Sequence, residues 1–272
     1  MRRWICLFGV ILCTAAVRGE VIYGTGPFQN GTNSNLYQIN PSTGAATLVG
    51  STGFGEIGGL AFDSAGQLWG ASPGTLYKIN TTTGAATRVG LFGDSLGEGD
   101  MSFQPGTGKL FLAIASLNGL LNDELATVNT ATAAYTIVGA LGSAGRDTSG
   151  LAFVPDGRLF GIALRDASAD QLIQIDPSTG AATAIGLTGT NVPLPTVAGL
   201  SWSVQTGRMY FSDHDSLYTV NLNTGLASLI GAHGVPEIAA IAVAVPEPAA
   251  AIVGAAALVM LRFRRRSECT HG

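Results

Sequence analysis

Short apolar runs, each broken by a polar turn, follow one another along almost the whole chain. One arrangement recurs five times: "LYQINPSTGAATLVG" (36–50), "LYKINTTTGAATRVG" (76–90), "LATVNTATAAYTIVG" (125–139), "LIQIDPSTGAATAIG" (172–186) and "LYTVNLNTGLASLIG" (217–231). Each copy reads as a strand, a turn and a second strand. Asn40, Asn80 and Asp176 are placed to bond the backbone of the turn, and Gly44, Gly84 and Gly180 supply positive φ. The closing glycines Gly50, Gly90, Gly139, Gly186 and Gly231 are spaced 40, 49, 47 and 45 residues apart.

A second hairpin lies between these copies: "GLAFDSAGQLWG" (59–70), "MSFQPGTGKLFLA" (101–113), "GLAFVPDGRLFG" (150–161) and "GLSWSVQTGRMYF" (199–211). The unit is therefore four strands in roughly 45 residues, the period of a propeller blade. The chain enters the repeats with "VIYGTG" (21–26), a second strand lacking a first, and leaves with "EIAAIAVA" (237–244), a first strand lacking the rest. Pairing the two completes a composite blade and removes the open edges. The pattern predicts an all-β, five-bladed β-propeller of four-stranded blades over 20–244. It resembles five-bladed or similar propellers built on "LYxIN…TGAAT…VG" repeats. Such a resemblance specifies architecture and is silent on activity.

Composition agrees. The 272 residues include 38 glycines, roughly twice the usual share of about 7%, with 46% hydrophobic and 12% charged residues. That is too apolar for disorder and too glycine-rich for a helical bundle. Trp69, Trp202, Tyr77, Tyr218 and Phe160 recur at strand positions and read as core between blades.

The termini follow other rules. Arg2 and Arg3 precede "WICLFGVILCTAAV", the layout of a secretory signal peptide over 1–19, expected to form a helix and to be cut after Gly19 or Ala16. Cys6 and Cys13 fall in that signal and Cys269 in the tail, so 20–244 contains no cysteine. The body has no disulfide framework, thiolate metal site or cysteine nucleophile. Seven basic and sixteen acidic residues in the same window give a net charge of -9, which argues against nucleic acid as a partner.

Beyond the repeats stands "VPEPAAAIVGAAALVMLRFRRR" (245–266), followed by a short tail over 267–272. Ala249 to Leu261 is an apolar run that rises about 20 Å as a helix, against a bilayer core of about 30 Å. With Phe263 added and the arginines snorkelling, it just spans. Arg262, Arg264, Arg265 and Arg266 would hold its end on the cytoplasmic side, leaving the body outside. Pro246 and Pro248 keep a helix from running back into the body and present an extended strip. Val245, Pro246, Glu247 and Pro248, the apolar run and the arginine cluster resemble the PEP-CTERM sorting signal. The resemblance implies a bacterial envelope protein exported by the secretion machinery. Its implied partner is an exosortase, a membrane-embedded enzyme that recognises Pro-Glu-Pro and removes the tail, in a host that makes extracellular polysaccharide. "SECTHG" extends past the arginines, a departure from the pattern. The alternative is a plain carboxy-terminal inner-membrane anchor.

Catalytic constellations are missing from the sequence. His214, His233 and His271 form no paired ligand spacing, and "DHD" (213–215) reads as an Asx-type turn. No GxSxG elbow, Walker loop or strand-to-helix GxGxxG is present. Aligning the innermost strands on Leu60, Met101, Leu151, Leu200 and Ile241 puts Glu56, Asp147 and Glu237 four residues earlier, with Glu98 and Asp100 close by in the second repeat. Such positions ring one mouth of a propeller channel. Five converging carboxylates would suit a hard cation such as Ca2+, or a cationic or polyol ligand; alternatively they keep a rim wet. Three functions stay open: a non-enzymatic surface or matrix protein contacting protein or polysaccharide, a cation- or glycan-binding lectin-like module, and a polysaccharide hydrolase or lyase.

Overall fold

The structure, a computed structural model, describes residues 19–27, 31–93, 99–114, 123–165, 169–191 and 198–244. Residues 1–18 of the expected signal peptide, the segment 245–272 with its sorting motif and arginines, and Glu98 lie outside the described residues, as do both expected terminal helices. Among the described residues, no helix is long and apolar enough to cross a membrane.

The first blade holds β1 (Ile22–Gly26), β2 (Asn33–Ile39) and β3 (Ala46–Gly55). The second is β4 (Gly59–Phe62), β5 (Leu68–Ser72), β6 (Thr75–Ile79) and β7 (Ala86–Leu91). The third is β8 (Met101–Phe103), β9 (Leu110–Ile114), β10 (Glu124–Val128) and β11 (Tyr135–Ala140). The fourth is β12 (Thr148–Phe153), β13 (Leu159–Ala163), β14 (Gln171–Ile175) and β15 (Ala182–Leu187). The fifth is β16 (Gly199–Ser203), β17 (Arg208–Ser212), β18 (Ser216–Val220) and β19 (Ala227–Ala232). The last strand, β20 (Ala240–Val243), returns to pair antiparallel with β1, Ile22 opposite Val243 and Thr25 opposite Ala240. The molecule is a five-bladed propeller closed by its two terminal strands.

Inner strands β4, β8, β12, β16 and β20 touch in a ring. The blades therefore stack face against face, and central strands bury both sides, as in β6 with Leu76, Tyr77 and Ile79 all inside. The core is divided accordingly into five apolar clusters, one at each junction between neighbouring blades. Trp69, Tyr77 and Phe160 are buried in these clusters, with Trp202 and Tyr218 packed against one of them.

Each copy of the repeated hairpin folds alike. Asn40, Asn80, Asn129, Asp176 and Asn221 accept the N–H two residues on, at 2.8–2.9 Å. One register shift recurs opposite the penultimate apolar residue, between Leu36 and Tyr37 and at the equivalent place in the other four blades.

Strand direction gives the ring two distinct faces. One, the turn face, carries the first-to-second and third-to-fourth turns of every blade. The other, the loop face, carries the second-to-third connections and the crossings between blades. Glu20 and Ala244 both lie on the turn face, because β20 and β1 meet where the first blade would otherwise have a hairpin.

Candidate functional site

The inner ends of β4, β8, β12, β16 and β20 present the N–H groups of Leu60, Met101, Leu151, Leu200 and Ile241 at equivalent positions. The residues immediately before them are Gly59, Asp100, Gly150, Gly199 and Ala240. Four small residues leave room for one large one. Asp100 Oδ1 accepts from Leu60 N (3.1 Å) and Met101 N (2.8 Å), and Oδ2 accepts from Leu151 N (3.2 Å) and Leu200 N (3.3 Å). One carboxylate thus ties the inner strands of four blades. Asp100 is fully buried; burial pushes its carboxyl well above the usual carboxylate range, and the four N–H donations pull against that shift.

This position corrects the expectation that Asp100 belongs to a solvated cation rim. Both of its oxygens are aimed at N–H donors, and water does not reach it. Its signal in the sequence is the set Gly59, Gly150, Gly199 and Ala240 around a single acid, a pattern of volume rather than of charge.

Glu56, Asp147 and Glu237 do occupy equivalent places, and all three have left-handed backbone, with φ of 56°, 53° and 42°. Each stands at the corner where the chain crosses between blades. The next N–H is received by the preceding blade: Ile57 N by Ser34 Oγ, Thr148 N by Asp123 Oδ2 and Ile238 N by His214 O. The corners keep their side chains apart. Glu56 is half-buried, Asp147 pairs with Arg146 at 3.4 Å, and Glu237 is only 4% exposed. Among the described residues, no three His, Cys, Asp or Glu side chains are grouped to hold a metal ion.

At the corner between the fifth and first blades, Glu237 Oε2 faces His214 Nε2 across 4.0 Å. His214 Nδ1 lies 3.0 Å from Asp215 Oδ1, and His214 itself has φ of 89°. The "DHD" stretch forms the expected Asx turn, Asp213 Oδ1 accepting from Asp215 N and Ser216 N. Two buried side-chain atoms among the described residues have no hydrogen-bond partner, Glu237 Oε1 and Trp202 Nε1.

Ser212 Oγ and His233 Nε2 stand 3.0 Å apart, a spacing shared by nucleophile and base pairs. Both are buried, and His233 Nδ1 donates to Gly44 O at 3.0 Å rather than to a carboxylate. Burial pushes the imidazole below its usual pKa, keeping it neutral. The pair fastens the fifth blade to the first.

On the turn face the channel opens into a cavity of about 540 Å³. Phe62, Phe103, Phe153, Trp202 and Val243, one equivalent residue from each blade, line it together with Ser102 and Ser201. The serines are spent on neighbouring blades, accepting from Phe153 N (3.0 Å) and Val243 N (2.9 Å).

Residues 102–250 match a family described as a repeat of unknown function (DUF6923). No curated protein matches the chain. Among solved structures, the crystal structure of a nidogen/laminin complex is similar, with a TM-score of 0.52 and 12% identity over 85% of this chain and 100% of that one. At that identity the likeness shows the fold alone.

Proposed function

The chain belongs to the DUF6923 repeat family, and we propose that it is an exported, non-enzymatic surface or matrix protein that binds protein or polysaccharide through its loop face. The observation that carries this reading is the contrast between the faces. The third-to-fourth turns are built alike five times, whereas the second-to-third connections run from a two-residue hairpin between β5 and β6 to nine residues between β9 and β10. Variable loops on a rigid ring are where recognition is built. A similar fold occurs in a nidogen/laminin complex, so protein binding is one use of such a scaffold.

The tail then follows as a sorting device. Residues 249–261 hold the protein at the inner membrane, and an exosortase acts at Val245, Pro246, Glu247 and Pro248. Ala244, after which this motif begins in the sequence, lies on the turn face.

Intact mass of the protein from its native cells, with and without the sortase, tests the reading. The expected species begins near Glu20 and ends within Val245–Pro248 only when the sortase is present. A chain still carrying Arg262 to Gly272 in sortase-containing cells overturns it.

A further inference from the structure

The turn-face cavity is walled by the inner strands and closed at its floor, where the Asp100 carboxylate ties Leu60, Leu151 and Leu200 together. Its volume of about 540 Å³ is that of a small-ligand site. From Leu60 to Ser64 the lining runs about 13 Å at strand rise. A shaft of this shape admits a linear molecule end-on, and suits one chain better than the paired chains of a phospholipid.

The wall has the chemistry of a hydrocarbon site, because its polar side chains are turned to the protein. Asp63, the one acid in the lining, accepts from Ala65 N, Gln67 N and Trp69 Nε1, each at 2.9 Å. Gln104 Oε1 accepts from Thr107 Oγ1 at 2.8 Å, and Ser102 and Ser201 accept from neighbouring blades. Trp202 Nε1 is enclosed, so the indole offers the cavity ring carbon. The apolar lining continues to the mouth, where Pro105, Pro155 and Val204 stand exposed, Val204 at 69%. An exposed apolar rim leading into an apolar cavity marks a binding site, unlike apolar residues scattered singly.

Charge is sorted between the two faces. Lys109 and Arg208 are exposed at two of the first-to-second turns around the mouth and form no ion pair among the described residues. Arg158 stands at a third, paired with Asp156 at 2.9 Å. Glu56, Glu124, Asp147, Asp213 and Asp215 lie on the loop face. On a ring with a net charge of -9, the turn face is therefore where a negative group is favoured.

We infer that the cavity binds a single fatty acyl chain carrying an anionic head, as in a free fatty acid. The chain lies along the ring axis against Phe62, Phe103, Phe153 and Trp202, and the carboxylate stays at the mouth toward Lys109 and Arg208. This goes beyond the sorting reading, since it uses the face opposite the loops and no residue of the tail.

The test is quenching of Trp202 fluorescence by 11-bromoundecanoate in the full chain, held in nanodiscs of phosphatidylcholine. Bromine quenches on contact, and Trp202→Phe identifies the part of the signal that comes from the cavity. Saturable quenching is expected, reversed by unbrominated undecanoate. Lys109→Glu combined with Arg208→Glu should weaken it on the order of tenfold, and Val204→Asp, an exposed change at the mouth, should weaken it likewise. Equal quenching by a bromoalkyl trimethylammonium of the same length overturns the anionic head. Quenching by brominated phosphatidylcholine in the disc, with none added by 11-bromoundecanoate, overturns the assignment in favour of a bilayer lipid. No saturable quenching of Trp202 overturns it outright.

Discussion

Asp100 joins the inner strands of four blades through a single side chain. The inner edges of innermost strands present N–H groups that no further strand pairs, and a single carboxylate receives four of them. Asp100→Asn keeps the shape but replaces one accepting oxygen with an amide NH2, a donor facing N–H donors. The expected loss is about 3 kcal/mol, a fall in Tm of roughly 6–12 °C by calorimetry. Because burial raises this carboxyl, the folded protein binds its proton more tightly than the unfolded chain does. The cost of its charge is therefore present above the raised value and relieved as pH falls through it. The stability gap between the parent and Asp100→Asn should widen as pH is lowered from 7 toward the ordinary carboxylate range. A narrowing gap would mean that the four donors outweigh burial.

At the scale of the element, two glycines of the repeated hairpin are halves of one contact between blades. Gly44, Gly84, Gly180 and Gly225 have φ of 77–82°, and a Cβ on any of them would strike the carbonyl of the closing glycine of the preceding blade: Gly231, Gly50, Gly139 and Gly186. The five copies are linked head to tail around the ring by these approaches. In the third blade Ala133 takes the turn position with φ of 64°, against Gly90. Gly180→Ala combines left-handed strain with the collision at Gly139 O. It should cost about 2 kcal/mol, seen as a drop in Tm of roughly 4–8 °C; an unchanged Tm would show that the junction yields without cost.

For the whole molecule, closure by β1 and β20 sets orientation as well as stability. Glu20 and Ala244 both lie on the turn face, and in the sequence residues 244–248 separate β20 from the apolar run. Five residues reach at most about 17 Å. If residues 249–261 anchor the protein as proposed, a chain that keeps its tail should hold the turn face, with its cavity and aromatic lining, against the membrane and present the loop face outward. Single cysteines at Thr107 on the turn face and Ser143 on the loop face report this directly, because 20–244 contains no other cysteine and Cys269 can be replaced by Ser. A fluorophore at 107 should be quenched by headgroup-labelled lipid and one at 143 should not. Equal quenching at both would refute the orientation.

The sequence by itself determined the architecture. Its turn chemistry and spacing are local, and each hairpin carries its own Asx residue and positive-φ position, so five blades and the composite closure could be counted along the chain. The corner acids were legible as equivalent positions for the same reason. Their fates were not. Whether a carboxylate pins the axis, as Asp100 does, pairs with its neighbour, as Asp147 does, or sits buried against an imidazole, as Glu237 does, depends on side chains from other blades. His214 meets Glu237, and Asp100 meets Leu200, only because the ring folds distant strands together. The reason is physical: backbone geometry is set by a residue and its near neighbours, whereas burial and hydrogen-bond satisfaction are set by whatever the closed ring brings alongside.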